Sequence, residues 1–250
     1  MPRTTLVLLP GLDGTEIFFG PLLAHLPSWI DPVVVTYPAS GPNTYDSLAT
    51  IVDAAVDGLA NFVILGWSFG GPLALMVAAR MPTQVSGVVL CGSFVTPPHP
   101  SLVPFRYAVI GPVVAVVRAI RRLRLLMPGR ATTELRAAKA ITWRRVHSGT
   151  LAARARAVLN VDARALLAAC NSRILYLMAT EDEVISRANL DTVLAISPKT
   201  EVAEIEGPHM ALFTNPSQSA ARIVDFLQKR QMPDRAPTPH PYITQEYSGQ

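Results

Sequence analysis

The residues best suited to chemistry lie in the stretch VILGWSFGGPLAL, where Ser68 stands between Gly66 and Gly70. An apolar, strand-like run precedes the serine, and a helix-like run of small and apolar residues follows it. A GxSxG match in that context is typical of a tight strand-to-helix turn that exposes a serine hydroxyl. Glycine at the two flanking positions allows neighbouring backbones to approach closely. The stretch therefore predicts a nucleophilic serine at the carboxyl edge of a sheet.

A serine hydroxyl is a weak nucleophile, so this chemistry requires a neighbouring base. His209 lies in IEGPHMALF, between the last predicted strand and the last predicted helix, so its loop opens on the same sheet edge as Ser68. The other histidines lie in a helical pattern, in a central insert or in the tail, where solvated or structural roles are expected: His25, His99, His147 and His240. We therefore interpret His209 as the catalytic base.

An acidic group must orient that base, and the segment ILYLMATEDEVIS supplies three adjacent carboxylates where a strand ends. A carboxylate there can accept the proton on the far ring nitrogen of His209 and fix its tautomer. Asp182 is the preferred candidate because its shorter side chain is held closer to the backbone, and Glu181 and Glu183 are the alternatives. The chain order Ser68, Asp182, His209 is the order typical of the strand-to-helix serine motif.

An oxyanion hole needs two preorganised N–H donors. The backbone N–H of Phe69 is one candidate, because Phe69 follows the predicted nucleophile. Leu12 is the other, in the loop PGLDGT after the first strand, where Gly11 and Gly14 allow close approach. The same loop also matches a glycine-rich turn that caps the following helix, and the two interpretations are compatible.

Strand-like and helix-like segments alternate along the chain. The strands are predicted at Thr4–Leu9, Val33–Tyr37, Phe62–Leu65, Gly87–Leu90, Ile174–Met178 and Thr200–Ile205. The helices are predicted at Ile17–His25, Tyr45–Leu59, Phe69–Arg80, Ala188–Ile196 and Pro216–Lys229. This alternation predicts an α/β fold with three layers, in which helices cover both faces of a mostly parallel sheet of about six strands.

The alternation breaks between the fourth and fifth predicted strands. Residues 99–162 predict a helical lid inserted after the fourth strand, between core segments 1–98 and 163–231. Residues 232–250 are rich in proline and polar groups and predict a disordered tail. The chain therefore fits one compact domain with one elaboration.

The predicted lid is strongly basic. Residues 101–160 contain twelve lysines or arginines and one acidic residue, a net charge of +11, so the rest of the chain carries −7. Such a segment would suit an acidic acyl carrier protein, an anionic small substrate or anionic lipid headgroups, or it is a solvated helical face. Its apolar side chains, together with Trp67 and Phe69 beside the predicted nucleophile, could line an acyl pocket, and core packing is the more common role of each: Phe105, Tyr107, Val113, Val114, Val116, Val117 and Trp143.

Composition narrows the remaining function classes. The 250 residues are 50% hydrophobic and 16% charged, as expected for a compact globular protein. Cys91 and Cys170 sit in apolar surroundings without metal-ligand spacing, so we expect reduced thiols, no metal and no cofactor. The apolar stretch of the insert is interrupted by Pro104, Arg106 and Pro112, which argues against a transmembrane segment. The apolar run Leu6–Leu9 is too short for the core of a signal peptide, so we expect a cytoplasmic protein. No nucleic-acid recognition motif accompanies the positive charge.

The motifs LVLLPGLDGT, GWSFGG, ATEDEVIS and EGPHM together resemble the α/β-hydrolase superfamily, in its lid-bearing esterase and thioesterase branch. The resemblance covers residues 4–98 and 172–230. Many members have His-Gly where this chain has Pro10 and Gly11, which removes a side chain near the oxyanion loop but keeps the Leu12 N–H. The GWS variant and the basic insert are similar to esterases that demethylate pimeloyl carrier-protein ester. The LPGLDGT and SFGGPLAL segments resemble plant acyltransferase-like esterases that make phytyl esters.

This resemblance implies a serine hydrolase that cleaves a carboxylic ester through an acyl-enzyme. A transferase or thioesterase acting on a carrier-bound acyl group would use the same acyl-enzyme, so it is an alternative. A hydrolase-fold protein that binds without catalysis is a second alternative, disfavoured because Ser68, Asp182 and His209 are all present.

Overall fold

A computed structural model describes residues 3–125 and 132–229, and the predicted tail at 232–250 lies outside these ranges. One six-stranded sheet forms the centre of the protein. Its strands are β1 Thr4–Leu9, β2 Ile30–Val34, β3 Phe62–Trp67, β4 Val85–Cys91, β5 Arg173–Glu181 and β6 Glu201–Pro208. The strands are parallel and lie in the order β2-β1-β3-β4-β5-β6. The predicted parallel sheet of six strands is confirmed.

Helices cover both faces of this sheet. They are α1 Gly20–Leu23, α2 Tyr45–Ala55, α3 Gly70–Arg80, α4 Gly111–Leu125, α5 Thr133–Arg145, α6 Ser148–Leu159, α7 Arg164–Ala168, α8 Arg187–Ile196, α9 Ala211–Thr214 and α10 Pro216–Lys229. Val7 and Leu9 of β1 pack in the cluster under α2, α3 and α8, whereas Leu6 and Leu8 pack in the cluster under α1 and α10. Alternate residues of a strand point to opposite faces, so each central strand must be apolar throughout.

The strand order creates the crevice in which the site lies. The connection after β1 runs to β2 on one side, whereas the connection after β3 runs to β4 on the other side, so the direction of the connections reverses between β1 and β3. Such a switch point leaves an open crevice at the carboxyl ends of the strands. Leu9 of β1 pairs with Gly66 of β3, so the loop after β1 and the turn after β3 emerge side by side.

Some predicted boundaries differ from the structure. The second strand was expected at Val33–Tyr37 but runs from Ile30 to Val34 and includes Pro32, which an edge strand tolerates. The helix expected at Tyr45–Leu59 ends at Ala55, and Gly58 adopts φ 78° in the turn that follows. The helix expected at Ile17–His25 is a 3₁₀ turn followed by the four residues of α1.

The insert, residues 99–162, contributes a 3₁₀ helix, Pro100–Ala108, and the helices α4, α5 and α6 between β4 and β5. Helices are therefore inserted in the chain between the fourth and fifth strands. The separation of this segment from the core as a lid domain stays a prediction. Most apolar side chains suggested as an acyl-pocket lining face outward instead: Phe105, Tyr107, Val113, Val116 and Val117 are exposed. Within the described ranges, no helix combines the length and apolar character needed to cross a bilayer.

Candidate active site

Ser68 occupies a strained turn between β3 and α3. Its φ is 53°, the one positive value among the described non-glycine residues. Three hydrogen bonds hold this backbone: the Ser68 N–H donates to the Cys91 carbonyl at 2.8 Å, and the Ser68 carbonyl accepts from the Gly71 N–H at 3.1 Å and from the Ser93 hydroxyl at 2.7 Å. The unusual conformation is therefore fixed by its surroundings, as expected where strain serves a site.

The glycines beside Ser68 are required by space. A Cβ at Gly66 would overlap the carbonyl oxygen of Gly70, and a Cβ at Gly70 would lie 2.6 Å from the carbonyl oxygen of Leu9. A Cβ at Gly71 would overlap the hydroxyl of Ser93. The turn thus packs directly against the end of β1, where the loop containing Leu12 begins.

Ser68, His209 and Asp182 form a continuous hydrogen-bonded line. His209 Nε2 lies 3.0 Å from Ser68 Oγ, and His209 Nδ1 lies 2.7 Å from Asp182 Oδ2. A carboxylate can only accept, so Nδ1 carries the proton and Nε2 is free to accept one from the serine. The side chain of Asp182 is 3% exposed and that of His209 is 14% exposed. The structure brings together the three residues that the sequence singled out.

Asp182 is fixed from its other side as well. Its Oδ1 accepts the backbone N–H groups of Val184 and Ile185, each at 2.8 Å. Two charge-assisted bonds of this kind hold the carboxylate in the orientation in which Oδ2 contacts His209. Glu181 and Glu183 are both exposed, so of the three adjacent carboxylates it is Asp182 that contacts His209.

The other described histidines lie away from this line. His25, His99 and His147 are exposed, and His25 Nδ1 lies 2.8 Å from the carbonyl oxygen of Pro21 within its own turn. His240 lies outside the described residues. No group of three or more His, Cys, Asp or Glu side chains that could hold a metal ion occurs within residues 3–125 and 132–229.

Two further residues position the line, and neither positioning role was predicted from the sequence, which suggested Trp67 only as a pocket lining. Trp67 donates its indole N–H to the carbonyl oxygen of His209 at 3.3 Å, and the two rings lie 5.8 Å apart. Gly92 has φ 46°, and a Cβ there would lie 3.1 Å from Asp182 Oδ2 and 3.3 Å from His209 Nδ1. The sequence signal that could have identified Gly92 is a glycine directly after β4, at the sheet edge that carries Ser68.

The thiol nearest the site does not compete with the serine. Cys91 is buried at the end of β4, and burial together with the Asp182 carboxylate raises the pKa of its thiol well above the usual range. Only a thiolate is a strong sulfur nucleophile, so Cys91 stays neutral and inert.

The candidate oxyanion donors lie on adjacent segments. Phe69 precedes α3 in helical conformation, with φ −51°. Leu12 lies in a turn closed by the bond from the Gly14 N–H to the Gly11 carbonyl at 3.0 Å. The Gly11 carbonyl and the Leu12 N–H belong to one trans peptide unit, in which C=O and N–H point in opposite directions. The Leu12 N–H therefore points away from the Gly14–Gly11 hydrogen bond. A Cβ at Gly11 would lie 3.4 Å from the Trp67 ring, which shows how closely this loop approaches the serine turn.

Comparison with known proteins gives a consistent result. A family model described as the alpha/beta hydrolase family matches residues 6–224. The chain is 28% identical over 243 residues to the pimeloyl-[acyl-carrier protein] methyl ester esterase of Xylella fastidiosa (strain M23), covering 89% of this chain and 94% of that protein. A thermophilic esterase from Thermogutta terrifontis superposes with a TM-score of 0.76 at 16% identity, covering 92% of each chain. The enol-lactonase from Burkholderia xenovorans LB400 superposes with a TM-score of 0.72 at 19% identity, covering 91% of this chain and 92% of that one.

The close approach at the serine turn predicts a large difference between two glycine substitutions. Gly66→Ala should lower the free energy of unfolding by about 2–3 kcal/mol, because the new methyl group meets backbone that cannot move aside. Gly20→Ala is the control: nothing lies within 4 Å of its Cβ position. In that helical setting alanine should be neutral or stabilising by up to about 1 kcal/mol. Urea unfolding followed by circular dichroism measures both, and equal stabilities for the two variants would contradict the packing described.

Proposed function

Because the chain belongs to the alpha/beta hydrolase family, we propose that it hydrolyses carboxylic esters, with Ser68 as nucleophile, His209 as general base and Asp182 as the group that orients the histidine. The observation that carries this proposal is the continuous hydrogen-bonded line from Asp182 Oδ2 through His209 to Ser68 Oγ, with distances of 2.7 and 3.0 Å. Both lie within the range expected for catalytic hydrogen bonds.

Acylation follows from the positions of these atoms. Ser68 Oγ attacks the ester carbonyl carbon while its proton passes to His209 Nε2, and the carbonyl oxygen becomes an oxyanion. The backbone N–H groups of Leu12 and Phe69 stabilise that charge. The C–O bond to the alcohol then breaks, the leaving oxygen takes the proton from His209, and an acyl-serine ester remains.

Deacylation repeats the steps with water. His209 removes a proton from water as the water oxygen attacks the acyl-serine carbonyl, and the collapsing intermediate returns that proton to Ser68 Oγ. The products are a carboxylic acid and free enzyme. Asp182 stabilises the imidazolium that forms in both halves of the reaction and remains ionised throughout.

A carrier-bound acyl ester is the second candidate substrate class. The Xylella fastidiosa relative is named for a pimeloyl carrier-protein methyl ester, and the match spans nearly its full length. The net charge of the insert would favour an acidic carrier. Transfer of the acyl group to an alcohol, or cleavage of a thioester, would use the same acyl-serine, so the acceptor decides between these reactions.

Labelling and turnover test the proposal together. A fluorophosphonate probe should label the native protein at Ser68, and Ser68→Ala should abolish both labelling and hydrolysis of p-nitrophenyl esters. A series of acyl lengths, together with a carrier-bound methyl ester and its free methyl ester, then identifies the preferred substrate. Added alcohol shows whether acyl transfer competes with hydrolysis. Labelling elsewhere, or full turnover by folded Ser68→Ala, would contradict the assignment.

The role of Asp182 has its own test. Asp182→Asn should lower kcat by about four orders of magnitude, because the amide favours the wrong histidine tautomer. Glu183→Gln is the matched control, since this neighbouring carboxylate is exposed and should leave kcat nearly unchanged. If Asp182→Asn kept the wild-type rate and Glu183→Gln lost it, the role would move to Glu183.

A further inference from the structure

The buried guanidinium of Arg154 joins the insert to the loop after β1. Arg154 lies in α6, and none of its surface is exposed. Its Nη1 donates to the carbonyl oxygens of Leu12 at 3.0 Å and Asp13 at 2.6 Å. Its Nη2 donates to the carbonyl oxygen of Pro38 at 2.8 Å, and its Nε donates to Asn43 Oδ1 at 2.9 Å.

These four acceptors suit an arginine and no other cation. A buried charge is costly unless its donors are satisfied, and the planar fork of the guanidinium supplies several donors in fixed directions. Burial lowers the pKa of Arg154, and the nearby Asp13 carboxylate counters that effect. A lysine ammonium is a single point and could not reach all four acceptors at once.

The loop after β1 accommodates the Arg154 side chain because position 14 is a glycine. Gly14 has φ 72°, and a Cβ there would overlap the Arg154 guanidinium. Leu12 is consequently held on both sides: the Gly11–Leu12 peptide by the turn bond from Gly14, and the Leu12 carbonyl by Arg154. The N–H between these two anchors is the proposed oxyanion donor.

We infer that Arg154 is a positioning residue for the oxyanion loop, which makes the rate of the ester chemistry depend on how the insert is seated. This inference rests on the proposed function. The residue does not touch the substrate. It acts through the Leu12 N–H, whose placement matters most when negative charge develops on the carbonyl oxygen.

Arg154→Lys tests the inference because it keeps the positive charge and loses the fork. We expect kcat for a short p-nitrophenyl ester to fall by about 10²-fold, the usual effect of losing one oxyanion donor, with KM changed less than about threefold. A boronic acid that forms a tetrahedral adduct with the serine should bind more weakly by a similar factor. Hydrogen exchange at the amides of residues 11–15 should accelerate, and this measurement does not depend on activity.

Arg156→Lys is the matched control. Arg156 lies two residues further along α6, and its Nη1 donates to the Val109 carbonyl at 2.6 Å, within the insert. This variant should keep kcat within about twofold. Wild-type kcat in folded Arg154→Lys, or equal losses in the two variants, would overturn the inference. If Arg154→Lys does not fold, Asn43→Ala removes the Nε acceptor and leaves residues 11–15 unchanged in sequence. We expect lower kcat and faster hydrogen exchange at the amides of residues 11–15 in this variant, and wild-type values of both would overturn the inference.

The two proposals fail in different ways. Full turnover by Ser68→Ala would remove the proposed function itself. An inactive Ser68→Ala together with a fully active Arg154→Lys would remove only the positioning role.

A second, independent observation concerns the outward side of residues 102–120, which we call the apolar face. Of the eleven large apolar side chains exposed in the described residues, eight belong to this face: Leu102, Phe105, Tyr107, Ile110, Val113, Val116, Val117 and Ile120. Phe105 is 63% exposed and Tyr107 is 78% exposed. A concentration of exposed apolar side chains in one segment is typical of an interaction site.

The two charged side chains within this segment are both partly buried. Arg106 is half-buried and stacks 4.8 Å from the centre of the Tyr107 ring. Arg118 points inward and donates to the carbonyl oxygens of Trp143 at 2.6 Å and Val146 at 2.8 Å. The face itself is therefore mainly apolar, and the sequence places three arginines directly after it, at positions 121, 122 and 124.

Charge selects among the possible occupants. A second copy would bring two segments of charge +11 together, and an acidic protein would meet cations only at the margin of a face that is mainly apolar. An anionic bilayer suits both features, because its acyl chains accept apolar side chains and its headgroups attract the arginines that follow this segment in the sequence. It would also repel the rest of the chain, which carries −7. We propose that the apolar face docks on an anionic lipid surface.

Vesicle co-sedimentation tests this docking without any need for catalysis. The wild-type protein should bind phosphatidylglycerol vesicles about tenfold better than phosphatidylcholine vesicles, and added salt should reduce that difference. Phe105→Ser combined with Val116→Ser should lower binding by about tenfold, since two apolar side chains no longer leave water. Val184→Ser, an exposed apolar residue outside the insert, is the control and should bind normally.

Other outcomes would overturn the lipid assignment. Absence of binding to anionic vesicles is one. Concentration-dependent dimerisation that the double variant abolishes would identify a second copy instead. Equally, binding to an acidic carrier protein that is lost in the double variant, with no vesicle binding, would identify that protein as the occupant.

Discussion

The backbones around Ser68 approach so closely that no Cβ fits at the neighbouring glycines, and much of the site depends on that close approach. Ser68 has φ 53°, and Cβ atoms at Gly66 or Gly70 would collide with backbone from α3 or β1. A strand that ends in so tight a turn projects its serine beyond the sheet edge. The same contact draws the end of β1 against the turn, which brings the loop containing Leu12 beside the serine.

Around this turn the sheet supplies the remaining groups in register. The Ser68 N–H bonds to the end of β4, and the loops after β5 and β6 deliver Asp182 and His209. Gly92 keeps the end of β4 clear of the Asp182–His209 contact. Parallel strands place all their carboxyl ends at one edge, so residues separated by 141 positions along the chain, Ser68 and His209, meet there.

The insert has a different relation to the site from the one its composition suggested. Its net charge indicated a basic docking surface, yet Arg118 and Arg156 bond to backbone carbonyls of the insert itself, and Arg154 bonds to the loop after β1. Three of the twelve basic side chains of the insert therefore bond to backbone carbonyls of the protein. What the insert presents to solvent between residues 102 and 120 is largely apolar.

Local patterns in the sequence determined the sheet of six strands, its flanking helices and the candidates Ser68 and His209, because GxSxG and the strand-to-helix loops depend on neighbouring residues. They failed where the reason was not local: β2 begins at Ile30 because it is an edge strand, which tolerates Pro32. Only the tertiary structure decided which of three adjacent carboxylates contacts His209, since that depends on backbone donors beyond Asp182. It alone revealed the role of Arg154, because a buried cation is defined by its acceptors, and these lie more than a hundred residues away.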